Sequence, residues 1–329
     1  MTVISKQIGR LRQNADRIPA WTRRHVPAGR RALAKIIKLY LVLCFGFVVL
    51  YPVFYMVSRA FMSLNDVHDP SVIWVPKTLQ LESFRLASQM MSYLSSALKT
   101  GGVALAATLL QMISCALAGY GFARFRFPGK RIFFAICLFS IIVPSQMITI
   151  PSFLQIKYFN VLGIGSVFKL FTGAYPDFMD TPWAVLIPAL LANGIRGSMY
   201  IYIFRQFFRG IPKDLEDAAY IDGAGHVTSF VRVIMPLAGA PFLVVFILSF
   251  IWYWNDATVM TFFYPSLRPI AVQLLNIATG TAASGVQYTI NQLLAIQQAG
   301  AFLMILPPLV LYLVLQRHFV ESIDKTGLK

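Results

Sequence analysis

The residue types that most often carry catalysis or hold metals are few and scattered in this chain. Its four histidines, His25, His68, His226 and His318, stand far apart in the sequence. Its three cysteines, Cys44, Cys115 and Cys137, each lie inside an apolar run, where a thiol acts as a small buried hydrophobe and not as a metal ligand or disulfide partner. No G-x4-G-K-[ST] phosphate loop occurs, so nothing in the chain is built to cradle nucleotide phosphates. These spacings assign no catalytic residue, no metal site and no cofactor to the chain, and they argue against an enzyme.

The most informative polar residues fall in one segment, 209–236, which reads RGIPKDLEDAAYIDGAGHVTSFVRVIMP. Pro212 suits the first turn of a helix. Asp214, Glu216 and Asp217 follow, and carboxylates there favour the positive end of the helix dipole. Ala218 and Ala219 form a small, strongly helical surface that another backbone can approach closely. Gly223 supplies a left-handed stop. The pattern predicts a helix of about ten residues, a length that is marginal alone in water and needs a docking partner. A second short helix over about 226–235 carries Val227, Phe230, Val231 and Ile234 at helical spacing, and Pro236 ends it. The segment reads either as a solvated loop between spans or as a rigid lever that takes a push from a partner.

A second set of polar residues sits inside apolar runs. Arg196 lies mid-way through LLANGIRGSMYIYIF, beside Asn193 and between Gly194 and Gly197. A charge at mid-membrane costs about 2.5–3.5 kcal/mol on insertion scales, so it faces protein or water. It is either a pore-lining group or an anchor between helices at a broken helix. Pro307-Pro308 predicts a kink in the last apolar run.

The elements that position these residues are set by composition. Of 329 residues, 57% are hydrophobic and 13% charged, against about a quarter charged in a soluble domain. Lipid must therefore solvate part of the chain. Six stretches are long and apolar enough to cross hydrocarbon: about 38–62, 95–122, 132–155, 183–208, 237–260 and 294–316. The net charge of +16 is concentrated beside these runs. Ten Lys and Arg residues lie in 1–38 against the single acid Asp16, and Arg124, Arg126, Lys130 and Arg131 cluster without an acid. Basic residues beside spans mark the cytoplasmic face and meet anionic lipid, which excludes nucleic acid as the partner this charge serves. The resulting organisation is a basic cytoplasmic tail over 1–37, a six-span domain over 38–316 and a cytoplasmic C-terminal tail over 317–329, with 209–236 inside. The outer segments 156–182 and 261–293 read as surface or re-entrant elements.

Asp217-Ala218-Ala219, Gly223, Val233, Met235 and Pro236 match, position for position, the spacing E-A-A-x3-G-x9-I-x-L-P. The chain in this respect resembles the permease subunits of binding-protein-dependent ABC importers. Asp replaces Glu, Val replaces Ile and Met replaces Leu. The flanking IPKDLE and IDGA, with GYGFARFRFPGK (119–130), WYWND (252–256) and QRHFVESIDKTGLK (316–329), are similar to the carbohydrate branch of that family, the maltose and multiple-sugar type with six spans. The resemblance covers about residues 38–329, and the basic tail 1–37 and the lengthened loop 165–182 depart from it.

The resemblance implies an all-α polytopic membrane protein with six transmembrane helices in the type I ABC importer permease fold, in a prokaryotic plasma membrane with both termini cytoplasmic. It implies a helix over 213–222 that seats in a separate ATPase subunit, with Leu215, Glu216, Asp217, Ala218, Ala219, Asp222, Gly223, Ala224 and Pro236 as the coupling residues. ATP and Mg would be bound by that partner. The other partners implied are a second permease subunit, two ATP-binding subunits, an extracytoplasmic solute-binding protein and a sugar-like solute. Trp254 and Asn255, in the Trp-Asn element, join Arg196 and Asn193 as translocation-path residues. The alternative is a self-sufficient secondary transporter or channel, which would call for internal repeats and membrane-buried acids. No repeat is visible, and only Asp256 lies near a span centre or end.

Overall fold

The computed structural model describes residues 28–69, 71–72, 74–279 and 287–326. Most of the basic tail expected over 1–37 lies outside the described residues, as do 280–286 of the second outer segment and the last three residues. Every regular element among the described residues is helical.

The chain divides into two units at Tyr55 and Met56. The first unit holds most of α1 (Ala28–Ala60). This helix begins at Ala28, well before the apolar run expected from 38. Residues 28–38 are rich in Ala, Lys and Arg, which propagate a helix beyond the point where hydrophobicity stops. Leu39, Phe45 and Val49 are exposed, and the exposed side chains continue around the helix from Leu39 to Leu43. A helix apolar all round needs lipid or other helices as its solvent.

The second unit continues with α2 (Glu82–Met90), α3 (Tyr93–Arg124), α4 (Lys130–Ile142), α5 (Ser145–Lys157), α6 (Ile164–Thr172), α7 (Trp183–Leu190), α8 (Gly197–Gly210) and α9 (Asp214–Ile221). It ends with α10 (His226–Leu237), α11 (Gly239–Trp254), α12 (Val259–Phe263), α13 (Ile270–Ala278) and α14 (Ile290–Thr326).

Three of the six expected stretches are single long helices, α1, α3 and α14. The others are interrupted, each for an identifiable reason. The third parts into α4 and α5 at Val143, which is extended (φ −66°, ψ 124°) as a residue before proline prefers. The fourth parts into α7 and α8 across 191–196, where Ala192 and Arg196 take positive φ (57° and 59°). The fifth is α11, and α10 meets it at a bend of 78°. Met147–Thr172 is also long and apolar enough to span, but Leu162 (φ 54°) and Gly163 (φ 82°) turn the chain between α5 and α6, so it is not one rod. The kink expected at Pro307-Pro308 does not interrupt α14, which is continuous from Ile290 to Thr326. Of the two segments expected to be outer, 156–182 carries α6 with Val167, Leu170 and Phe171 exposed, whereas α13 buries Ile270 and Ile277.

Within this unit α3 is the hub, packing along α7, α8 and α11. Its inward face is small: Ala104, Ala107, Cys115 and Ala116 are buried, which lets neighbouring backbones come close. Two apolar clusters lie along it. One gathers Ala107, Val185, Phe250, Trp254 and Ile296. The other gathers Tyr120, Phe204, Phe208, Phe230 and Ile234 near the root of α9.

Candidate functional site

Segment 209–236 folds into two short elements around a tight turn. The first, α9, has eight residues, with Asp214, Glu216 and Asp217 in its first turn. It stops at Gly223, whose φ of +85° is one that L side chains rarely adopt, and the amides of Gly223 and Ala224 donate back to the carbonyls of Tyr220 (3.0 Å) and Ala219 (2.9 Å). The second, α10, widens into a π-type turn over Phe230–Ile234. Phe230 and Ile234 are buried while Val227 and Val231 are exposed, so only half of the predicted apolar set faces the core. Phe230 packs on Tyr120 (ring centroids 4.6 Å apart) and Phe208 (6.0 Å). The turn between α9 and α10 is closed by Tyr220 Oη and His226 Nδ1 at 2.8 Å. Pro236 lies inside α10, and the chain bends at Ala238, two residues past the expected stop.

The helix α9 has two unlike sides. Leu215, Asp217, Ala218, Ile221 and Asp222 are exposed, with Ile221 at 86%. Ala219, Tyr220 and Ala224 are half-buried, and Glu216 turns inward and is buried. Its carboxylate Oε1 accepts from Arg124 Nε at 2.8 Å, and Arg124 Nη2 donates to the Ile211 carbonyl at 2.8 Å. Both side chains of the pair are 7% exposed. One guanidinium on the last residue of α3 therefore grips the chain on both sides of Pro212-Lys213. The sequence placed Arg124 only in the topology-setting basic cluster. Its pairing could not be read from spacing, because 92 residues separate it from Glu216.

The residues expected along a translocation path differ in exposure and in what they contact. Arg196 caps α8, is exposed, and holds its guanidinium over the Trp252 ring, 4.5 Å from its centroid. Asn193 is exposed nearby in the 191–196 break. Trp254 is buried, and its indole Nε1 donates to the Met304 carbonyl at 3.0 Å, which makes it a link between α11 and α14. Asn255 is exposed, and its amide donates to the Ile251 carbonyl at 2.9 Å.

A buried polar node that the sequence did not single out holds the break instead. Gln111 of α3 donates to the Ile195 carbonyl at 2.7 Å and accepts from the Tyr253 hydroxyl. That hydroxyl accepts in turn from the Ile195 amide at 3.3 Å. Ser114 donates to the Ala189 carbonyl at 2.7 Å. Freed backbone groups inside an apolar layer are costly unless re-paired, and this node re-pairs them. Gly194 is required by close approach: a Cβ there would lie 2.2 Å from Tyr253 Oη and 2.6 Å from Gln111 Oε1. A glutamine inside the second apolar run was the available signal.

Long apolar helices carrying one short polar helix, anchored on one side and open on the other, are the architecture of a membrane transport component. Residues 112–325 match the binding-protein-dependent transport system inner membrane component family, and the chain belongs to that family. It is a multi-pass inner-membrane permease component that works with the other parts of an ABC transport system. It is similar to the maltodextrin transport system permease protein MdxG of Bacillus subtilis, at 29% identity over 305 residues covering 91% of this chain and 98% of that one. It is similar as well to the trehalose transport system permease protein SugB of Mycobacterium tuberculosis, at 29% identity over 280 residues, 85% of this chain and 92% of that one. The fold is shared with a chain in the crystal structure of a bacterial ABC transporter involved in the import of the acidic polysaccharide alginate. There the TM-score is 0.68 at 21% identity, with 89% of this chain and 98% of that one covered. These relationships do not favour a self-sufficient transporter.

Proposed function

We propose that the chain is the six-span permease subunit of an ATP-driven importer for a sugar or sugar-like solute, and that α9 and its turn are where a separate ATPase subunit takes hold. The observation that carries this reading is the two-sidedness of α9. Leu215, Ala218 and Ile221 offer an apolar face, flanked by Asp217 and Asp222, that stays exposed among the described residues, while buried Glu216 fixes the opposite side to α3. Ala219, Gly223, Ala224 and Pro236 shape the turn and the bend behind that face. A partner seated on it pushes on a helix that cannot roll, because its root is held on two atoms.

In this reading both termini and α9 are cytoplasmic, 1–37 and 317–329 are tails, and 38–316 is the membrane domain. ATP and Mg belong to the two ATPase subunits. A second permease subunit completes the path, and an extracytoplasmic binding protein delivers the solute. The relatives named for maltodextrin and trehalose support a saccharide as the cargo. Exposed Arg196, Asn193 and Asn255 are the path-facing groups, and Trp254, next to Asn255, ties α11 to α14 behind them.

The test is co-purification with the cognate ATPase. Ala218 is exposed, so Ala218→Arg leaves thermal stability unchanged while abolishing capture of the ATPase and solute uptake. Capture by the Ala218→Arg protein at the wild-type level overturns the assignment.

A further inference from the structure

Behind the α9 root lies a cavity of about 590 Å³ into which six cationic side chains converge: Arg124, Lys130, Arg131, Arg205, Arg209 and Lys213. They come from the end of α3, the start of α4, the end of α8 and the residue before α9. Among the described residues only Arg124 of the six has a carboxylate partner. Lys130 Nζ is satisfied by the Phe125 carbonyl at 2.7 Å, which leaves its charge uncompensated. Arg205 lies with its guanidinium carbon 3.7 Å from the Phe134 ring centroid, and its buried Nε has no hydrogen-bond partner. The Lys130 ammonium is pulled below its ordinary pKa, first by burial and then by Arg205, Arg209, Lys213 and Arg126. Five cations with no carboxylate partner among the described residues share one cavity, and the positive potential they sum to favours an anion there.

We infer that this cavity takes the phosphate of an anionic membrane phospholipid, whose acyl chains run along the outer face of α4. The apolar half of the site argues for lipid over a soluble anion. Phe122 and Phe134 line the cavity beside the cations. Ile132, Phe133, Ile136 and Phe139 of the same helix are exposed as well, so α4 offers an apolar surface beyond its cavity-lining side. A basic pocket with aromatic walls, beside a helix that exposes apolar residues, suits the headgroup of an anionic lipid. The inference rests on the reading that this end of α3 faces the cytoplasmic leaflet. The lipid then sits against Lys213 and Arg124, the residues from which α9 springs, so its occupancy would bias the helix that an ATPase grips.

The experiment is native mass spectrometry of the full-length chain in detergent, with no ATPase present, titrated with phosphatidylglycerol or cardiolipin against phosphatidylcholine. The wild type retains the anionic lipids by roughly tenfold over phosphatidylcholine, and Lys130→Gln/Arg205→Gln/Arg209→Gln brings the ratio to within about twofold. Lys35→Gln/Lys38→Gln/Arg317→Gln removes the same charge elsewhere and keeps the preference. Should the triple variant fail to fold, Arg131→Gln/Arg209→Gln, two exposed positions, lowers the same ratio. Equal loss in both triple variants, or retention in the first, overturns the inference. It is also overturned if inorganic phosphate at millimolar concentration binds through these residues while lipid preference is unchanged. The same holds if the cavity variant keeps its lipids and loses only ATPase capture, which would make the cavity a protein contact. Because lipid retention is read without an ATPase, failure of the coupling assignment does not move it.

Discussion

Removing either partner of the Arg124–Glu216 pair should release α9 from α3 without unfolding the rest. The two side chains are 7% exposed and meet at 2.8 Å, so solvent screens them little. Truncating one partner of a buried pair leaves an uncompensated charge, at about 3–5 kcal/mol. Arg124→Ala strands the Ile211 carbonyl as well, a further 1–3 kcal/mol or so. Breaking the pair by Glu216→Ala therefore shifts the local opening of 211–224 by about two to nearly four powers of ten, at ~1.4 kcal/mol per tenfold. Hydrogen exchange of the amides of Asp222, Gly223 and Ala224, all donors within α9 or its turn, reads that opening directly. Replacing both partners by apolar residues, Arg124→Met/Glu216→Leu, recovers most of the protection, because the cost lies in the orphaned charge. The reasoning fails if Glu216→Ala leaves exchange over 211–224 within about twofold of wild type, if exchange rises equally in α14, or if the double variant loses the sum of both single losses.

Gly194→Ala drives a methyl into Tyr253 Oη and Gln111 Oε1 and should lower thermal stability by about 1–3 kcal/mol, whereas Gly102→Ala, with open space around it, should not; differential scanning in detergent separates them. Gly223→Ala meets no steric neighbour yet costs about 1–2 kcal/mol because of its φ, and Gly223→Asn recovers part of it, as measured by protection of the Ala224 amide. In the loop after α1, Lys77 beside Asp69, then the Ser71 hydroxyl and amide, hold the Asp69 carboxyl well below the usual carboxylate range. A carboxyl depressed on folding contributes order that is full above about pH 4 and is lost only as pH falls further. Trp74 emission, read against a Trp74→Phe background, should stay constant from neutral pH down to about pH 4 and change below it, and Asp69→Asn should abolish that change.

Helix existence was legible wherever apolar residues ran without interruption, as in α1, α3 and α14. Breaks were legible as proline and glycine, but their consequences were not. Pro144 parts α4 from α5, while α14 runs on through Pro307-Pro308, and the local sequence does not tell the two apart. The α9 helix, its acidic first turn and its Gly223 stop could be read from local chemistry, since capping and φ preferences act over a few residues. The partners of that chemistry could not. Glu216 looked like one more first-turn acid, and nothing in the sequence around Trp254 pointed to the Met304 carbonyl as the partner of its indole. Long-range pairing is set by which faces the spans turn to one another, and apolar runs without strong periodicity do not record that.

The grip on α9 could have been apolar, since replacing a buried ion pair with well-packed hydrophobic side chains is often neutral or stabilising. What the pair adds is direction. A greasy contact lets a short helix roll or slide along α3; a guanidinium forked between Oε1 of Glu216 and the carbonyl of Ile211 permits neither. The fork also sits on the last residue of a single long helix. Thirteen residues earlier, about 20 Å along its axis, the same helix presents Gln111 to Ile195 and Tyr253. The α9 helix and the 191–196 break are thus attached to the end and the middle of one continuous helix. A displacement of α9 can be absorbed only by moving α3 as a unit or by breaking one of these few polar contacts, and each of those contacts is buried, where breaking it is expensive.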